Sequence, residues 1–472
     1  MCRRLLSLTA ILLITFMPCV PVFASAGDAV SGDGASLTLT LEDPSADKPY
    51  TKGRKALDDD ETTFVTFNKG KTLRLSAEQP FVSLYVKWET PCQWTLTLPD
   101  GTTFDGGKDG FIHEYCRLGQ AVSSAELTIP DGAMLTDLYA FADANPPDWV
   151  QLWEPPCEKA DLLVLPTHAD DEHLWFGGAL PYYAGELGYD VQVVYLTNHG
   201  ETIRNHERLN GLWTVGVRHY PVIGRFPDVL ATKESLDAAA YRFGYDNVVK
   251  FQVENLRRFR PRVVIGHDMK GEYGHGAHKL NAKTLLEAVA LTDDPSAYPA
   301  SAEKYGTCQV QKCYLHLWKK NQVVVDWDSM SLTRFGGKSA LDMAKEGFAC
   351  HQSQLKYYSV EKDSVKYDCR KFGLAYTTVG EDTEGTNDLF EHVDWSDKVQ
   401  VEQTPEPSGQ NPDTQPVSPG DVGTVSPSDT KRGFDWGRFL PSDAKSVLLA
   451  GMAALMVLAT AGVCAMCAGR KR

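Results

Sequence analysis

Leu162-Leu163-Val164-Leu165-Pro166-Thr167-His168-Ala169-Asp170-Asp171-Glu172 decides how this chain reads. A short apolar run of strand length ends in an imidazole and a group of carboxylates. The pattern returns much later. Arg262-Val263-Val264-Ile265-Gly266 is followed by Gly271-Glu272-Tyr273-Gly274-His275-Gly276-Ala277-His278. Parallel sheets place their ligand crevice outside the carboxyl ends of the strands. Two such strands would bring His168, Asp171 and His278 to one divalent cation although they lie far apart in sequence.

From about Ala160 onward, strand-like and helix-like runs alternate. Leu162 to Pro166 precedes a helical Leu180 to Leu187, and Val191 to Thr197 precedes Arg204 to Val215. Tyr220 to Ile223, a long helical stretch from Glu234 to Arg258, Val263 to His267 and a helix from His278 to Leu291 follow. This order predicts an α/β unit over 158–400: a Rossmann-like open, mostly parallel sheet with helices on both faces. Right-handed crossovers put its strand C-terminal ends on one rim. Val323 to Trp327 reads as a late strand and Ser339 to Cys350 as a late helix.

Residues 30–150 have another texture. Ser36 to Leu41, Val82 to Trp88 and Trp94 to Leu98 alternate with period two, and turn residues such as Pro99-Asp100-Gly101 separate them. The pattern predicts an antiparallel β-sandwich domain in front of the α/β unit. Asp58-Asp59-Asp60-Glu61 fits no calcium-loop template and reads as a solvated loop.

The two ends carry targeting signals. Residues 1–26 read as a signal peptide, with Arg3-Arg4, an apolar Leu5 to Val22 and a small-residue site at Ala24-Ser25-Ala26. Residues 403–440 are rich in Pro, Ser and Thr and read as a disordered stalk. Residues 446–469 are apolar and long enough to span a bilayer, with a basic tail at 470–472. Together they predict a single-pass cell-membrane protein whose N-terminal body is extracellular. The formal charge of −15 argues against a nucleic-acid partner. Seven cysteines lie in the body: Cys92, Cys116, Cys157, Cys308, Cys313, Cys350 and Cys369. An exported compartment permits disulfides; an odd number leaves at least one unpaired or joined to another chain, and Cys308 and Cys313 are spaced for a local bridge.

Two imidazoles and one carboxylate suit zinc, and a catalytic zinc commonly keeps three protein ligands plus water. Such an ion acidifies its water and polarises a carbonyl. A neighbouring carboxylate must then take the proton, and Asp170 and Asp171, being adjacent, point differently. A third group must stabilise the developing oxyanion. His275, three residues before His278, fits a turn feeding a helix N-terminus.

His168-Ala169-Asp170-Asp171-Glu172 and Gly274-His275-Gly276-Ala277-His278 together resemble the two motifs of the PIG-L/LmbE-like N-acetylglucosaminyl deacetylases, His-Pro-Asp-Asp-Glu and Gly-His-Pro-Asp-His. Arg204 with Glu207, Phe226-Pro227-Asp228 and His351-Gln352-Ser353-Gln354 extend the resemblance, which covers roughly Asp161 to Lys356. It implies a zinc-dependent hydrolase of linear amides acting on an N-acetylated amino sugar. It also implies His168, Asp171 and His278 as zinc ligands (one ion, with another divalent metal as the alternative), Asp170 as general base, His275 as an imidazolium stabilising the tetrahedral intermediate, Tyr273 assisting, and Arg204 and Asp228 on the substrate. Glu172 reads as a structural carboxylate. Ala169 and Gly276 replace prolines, and Ala277 replaces an aspartate that in the family supports the active-site histidine. Glu272 is one candidate to substitute for it.

Other residues read as packing: His173, Trp175, Tyr182 and Tyr183. His267 and Asp268 both end a strand near the rim. Combined with the outward location, the expected substrate is an extracellular glycan or glycoconjugate of the N-acetylglucosamine type. Two alternatives stand beside it: a glycan-binding surface protein or adhesin with a degenerate deacetylase domain, and an amidase acting on another sugar conjugate.

Overall fold

The computed structural model describes residues 36–401 apart from Asp47 and Thr386. The stretches read as signal peptide, stalk, membrane span and basic tail lie outside the described residues. Among the described residues no helix is long and apolar enough to cross a membrane.

The front unit is antiparallel throughout. Its strands are β1 (Leu39–Asp43), β2 (Lys48–Pro49), β3 (Val65–Thr66), β4 (Lys71–Trp88), β5 (Trp94–Thr97), β6 (Thr103–Gly106), β7 (His113–Ile129) and β8 (Met134–Phe141). They pair in the order β2-β1-β4-β7-β5-β6, with β8 joining β4 to β3. The period-two alternation explains the faces: Leu73, Leu75, Leu96 and Leu127 point inward and are fully buried. Long β4 and β7 run side by side and slip register between Ser76 and Ser83. One continuous pairing network results.

The second unit carries β9 (Leu162–Val164), β10 (Val191–Asn198), β11 (Val222–Pro227), β12 (Val263–Gly266), β13 (Lys312–His316), β14 (Gln322–Val324) and β15 (Lys371–Thr377). Their order is β11-β10-β9-β12-β13-β15-β14. The first five are parallel, and β15 runs antiparallel to both its neighbours, β13 and β14. Both faces are covered, as the unbroken apolar runs require. Leu162, Val164, Val193 and Ile265 join one apolar cluster, and Leu163, Leu165, Val194 and Val264 join another on the opposite face. Each such side chain contributes about 1.5–3 kcal/mol on burial.

The helices are α1 (Asp171–Leu174), α2 (Ile203–Thr214), α3 (Ala231–Glu234), α4 (Leu236–Phe243), α5 (Tyr245–Phe259), α6 (Gly276–Leu291), α7 (Pro299–Tyr305), α8 (Ala340–Ala349) and α9 (Ser396–Val401). Leu180–Glu186 is π-helical. α2 and α8 supply Leu209, Leu212 and Phe348 to the first face, and α5 and α6 supply Val253, Leu256 and Leu285 to the second. The single helical stretch expected from Glu234 to Arg258 is two helices, α4 and α5. Ser235 caps α4 by accepting from Ala238 N, and Gly244, at φ 77°, ends it. The late strand is shorter than Val323 to Trp327, and the late helix lies where Ser339 to Cys350 placed it. The local Cys308–Cys313 bridge is absent, and all seven body cysteines are free. Cys313 points from β13 into the apolar cluster, whereas Cys308 Sγ donates to Leu256 O at 3.4 Å.

The two units meet in a seam. Phe111 stacks on Tyr220 with ring centroids 4.3 Å apart, and Ile112 N donates to Tyr220 Oη at 3.2 Å. His113 Nε2 and His206 Nδ1 share a hydrogen bond of 2.8 Å.

Candidate functional site

β9 and β12 are adjacent, and strand order reverses across them: β10 and β11 follow on one side and β13 on the other. A topological switch point opens a crevice at the carboxyl ends, and both motif loops leave from there. Asn281 of α6 reaches back to Leu165 O at 3.2 Å and to Thr167 Oγ1 at 2.9 Å, fastening the second loop to the first.

His168, Asp171 and His278 are brought together. His168 Nδ1 lies 3.0 Å from His278 Nε2 and 3.3 Å from Asp171 Oδ2, and His278 Nε2 lies 3.3 Å from the same oxygen. Donors held at about 2.0–2.2 Å around a tetrahedral ion stand about 3.3–3.6 Å apart. The donor set and its spacing therefore fit a small divalent ion. All three side chains are buried. Asp171 is fixed by Thr167 N and His168 N on Oδ2, and by Trp175 Nε1 on Oδ1 at 2.7 Å. Burial works against its charge, but His278, His267 and His168 pull it well below the usual carboxylate range.

Behind these three donor atoms stands a layer that the motifs alone do not announce. Glu272 Oε2 lies 3.0 Å from His278 Nδ1 and 2.8 Å from His267 Nδ1, and its Oε1 lies 2.8 Å from His316 Nδ1. Such outer carboxylates fix ring orientation and raise ligand basicity. Glu272 therefore backs His278 and does not take the place of the missing aspartate beside His275. On the other flank, Asp228 Oδ1 lies 3.5 Å from His168 Nε2 and Oδ2 3.1 Å from His199 Nδ1. Burial opposes its charge, yet His199 and His168 hold its carboxyl below the usual range. His199 Nε2 accepts from Ala169 N at 3.0 Å. His199 follows β10 and His316 ends β13, so the strand-end signal that flagged the motifs applies to both.

Asp170 sits at φ 124°, a conformation that costs a non-glycine residue about 1–3 kcal/mol. Glu172 Oε2 accepts its N–H at 2.9 Å, and Arg204 Nη2 donates to its Oδ2 at 3.2 Å and also to Ala169 O. Arg204 is thus turned onto the motif loop, with Glu207 3.6 Å from its Nε. Burial pushes Asp170 well above the usual carboxylate range, partly offset by Arg204. A bound cation would oppose that rise.

His275 Nδ1 accepts from Ala277 N at 3.2 Å. In a neutral ring the proton then resides on Nε2, which is buried and has no partner. Burial, with His278 and His168 close by, pushes its pKa down to about 2. Its surroundings thus oppose the imidazolium form. Ala277 packs with Leu196, Phe243 and Leu280 in an apolar cluster, so its side chain faces away from any polar partner. Tyr273, at φ 44° and partly exposed, places its ring 5.4 Å from that of His275 and stacks on Tyr358 at 5.5 Å.

A doubly wound α/β unit thus carries, at its switch point, a buried His-Asp-His donor set that fits a divalent metal. The chain is 28% identical over 172 residues to a 1D-myo-inositol 2-acetamido-2-deoxy-alpha-D-glucopyranoside deacetylase of Rhodococcus erythropolis, covering 31% of this chain and 58% of that protein. It is 29% identical over 172 residues to the corresponding deacetylase 2 of Saccharopolyspora erythraea, covering 31% and 63%. The chain thus spans less than two thirds of the length of these relatives. Among solved structures, N,N'-diacetylchitobiose deacetylase from Pyrococcus horikoshii aligns over 42% of this chain and 73% of its own, at 19% identity and a TM-score of 0.34. No family model matches the chain. In its motifs and in these relatives, the α/β unit is similar to the PIG-L/LmbE-like deacetylases.

Proposed function

We propose that the protein is a zinc-dependent deacetylase that hydrolyses the N-acetyl amide of an N-acetylglucosamine-type sugar on an extracellular glycan or glycoconjugate. The triangle of His168 Nδ1, Asp171 Oδ2 and His278 Nε2, with sides of 3.0–3.3 Å, carries this reading. The relatives' names, which specify a 2-acetamido-2-deoxy sugar, support the bond and the substrate class.

His168, Asp171 and His278 would hold the ion, which when bound supplies Lewis acidity and an acidified water. Asp170 takes the proton as water attacks the acetyl carbon and returns it to the leaving nitrogen, so that acetate and a free amine result. His275, as a neutral ring, donates from Nε2 to the carbonyl oxygen as charge develops there, and the Tyr273 hydroxyl assists. Arg204 keeps the Asp170 turn in place. The partly exposed carboxylate of Asp228 is left to meet a substrate hydroxyl. The front unit, read as a β-sandwich, holds the glycan near the crevice. The apolar stretch at 446–469 tethers the body outside the cell.

The test is acetate release from a panel of N-acetylated sugars and oligosaccharides by the zinc-loaded full chain. Release that disappears in Asp170→Ala supports the reading. Glycan binding without acetate from the metal-loaded protein overturns it and favours the adhesin, a reading to which Ala277 and the uncharged His275 lend weight. Release only from non-acetyl conjugates favours the other amidase.

A further inference from the structure

A second convergence of donors lies behind the motif loop, and the deacetylation chemistry leaves it unused. Glu172, His173 and His351 are fully buried. Glu172 Oε1 lies 3.5 Å from His173 Nε2 and 3.4 Å from His351 Nε2. One ligand atom from each of the three can be chosen so that all lie within 4.8 Å of one another. Glu172 Oε1 and both ring nitrogens of His173 and of His351 have no hydrogen-bond partner. The Tyr195 hydroxyl approaches the same carboxyl. Buried polar atoms are nearly always partnered, and each exception asks for a cause. Here the exceptions are gathered in one place.

The surrounding helices leave room for the rings. A Cβ at Gly211 of α2 would meet His173 Nε2 at 2.7 Å and His351 Nε2 at 3.1 Å. A Cβ at Gly347 of α8 would meet His173 Nδ1 at 2.7 Å. No Lys or Arg among the described residues forms an ion pair with Glu172. Arg208, a buried cation nearby, lies 5.0 Å over the Tyr195 ring and donates to Asn205. A carboxylate held out of water beside two unpartnered imidazoles is a donor set suited to a divalent cation.

We propose that Glu172, His173 and His351 form a second divalent-cation site, closed to solvent and structural in role. Two imidazole nitrogens and one carboxylate oxygen select a zinc-like ion. Donor separations of 3.4 and 3.5 Å match tetrahedral placement around it, and the Tyr195 hydroxyl is available for a fourth position. Glu172 Oε2 meanwhile accepts the Asp170 N–H. The ion would pin the motif turn to His351 at the end of α8 and so keep Asp170 in its unusual backbone conformation. This inference stands apart from the deacetylase reading, because it concerns metal content and stability and no turnover.

The experiment is elemental analysis of the metal-free full chain after zinc loading and gel filtration. Two equivalents per chain are expected for the wild type, one for His351→Ala, one for the shape-conserving Glu172→Gln, and one for His278→Ala. Melting of Glu172→Gln should lose the upward shift that the second equivalent gives the wild type. A folded wild type that binds a single equivalent, unchanged by Glu172→Gln and lost in His278→Ala, overturns the second site and leaves the crevice site standing. The reverse pattern, in which His278→Ala changes nothing and Glu172→Gln removes the ion, overturns the crevice site instead.

Discussion

The crevice and the seam between the two units both gather imidazoles and carboxylates out of water, yet they are built in opposite ways. In the seam every ring nitrogen has a partner. His113 Nδ1 meets Gln151 Oε1 at 2.7 Å, His113 Nε2 meets His206 Nδ1 at 2.8 Å, and His206 Nε2 meets Glu89 Oε1 at 3.4 Å. Glu61 beside them is taken up by Lys87 and Asn210. In the crevice, His168 and His278 turn ring nitrogens on each other and on Asp171, and a carboxylate stands behind each ring. Residue type and burial do not separate a locked joint from a ligand site. The partners that the ring nitrogens find do.

The largest effect expected from this contrast is on turnover. Asp170→Ala should keep the metal and lose about 10²–10⁴-fold in acetate release, the usual contribution of a positioned base. Acetate assay with metal analysis on the same preparation checks both halves. Ala277→Asp follows. Introducing the aspartate of the resembled motif places a carboxylate in the apolar cluster of Leu196, Phe243 and Leu280. An uncompensated buried charge costs about 3–5 kcal/mol, so denaturant unfolding should show a large loss of stability and no gain in activity. Glu272→Gln removes the carboxylate behind His278 and should weaken zinc binding about 10- to 100-fold, read by competition with a chelator.

Much of this was legible in the chain. The apolar runs at Leu162 to Pro166 and Val263 to His267 fixed adjacent parallel strands, and the spacing of the two motifs placed His168, Asp171 and His278 at one rim. What escaped depends on tertiary neighbours. Glu272 serves His278, His267 and His316 at once because three chain segments converge on it, which no local pattern encodes. The break at Ser235 and Gly244 lay inside a stretch whose periodicity continues on both sides. The depressed pKa of His275 follows from burial beside His278 and His168, and its tautomer from one backbone N–H, that of Ala277.

The seam answers with smaller effects. His206→Ala leaves His113 and Glu89 short of a partner and should cost about 1–3 kcal/mol in unfolding free energy, with metal content unchanged. Zinc loss in that variant would erase the distinction between joint and site. Asp137, buried with both oxygens unpartnered, has its carboxyl pushed up from 3.8 to about 6 by burial. Its folded value lies above its unfolded one, so the unfolded chain releases its proton first. Stability attributable to this group is full below pH 3.8 and is lost as pH rises through about 6. Asp137→Asn should therefore gain about 1–3 kcal/mol at pH 7 and nothing at pH 3.5, as pH-dependent melting will show.

The most direct test of the central claim is anomalous diffraction at the zinc edge from crystals of the zinc-loaded protein. The account predicts a peak about 2.0–2.2 Å from each of His168 Nδ1, Asp171 Oδ2 and His278 Nε2. Zinc density confined to other residues, with those three atoms bonded only to one another, would contradict it.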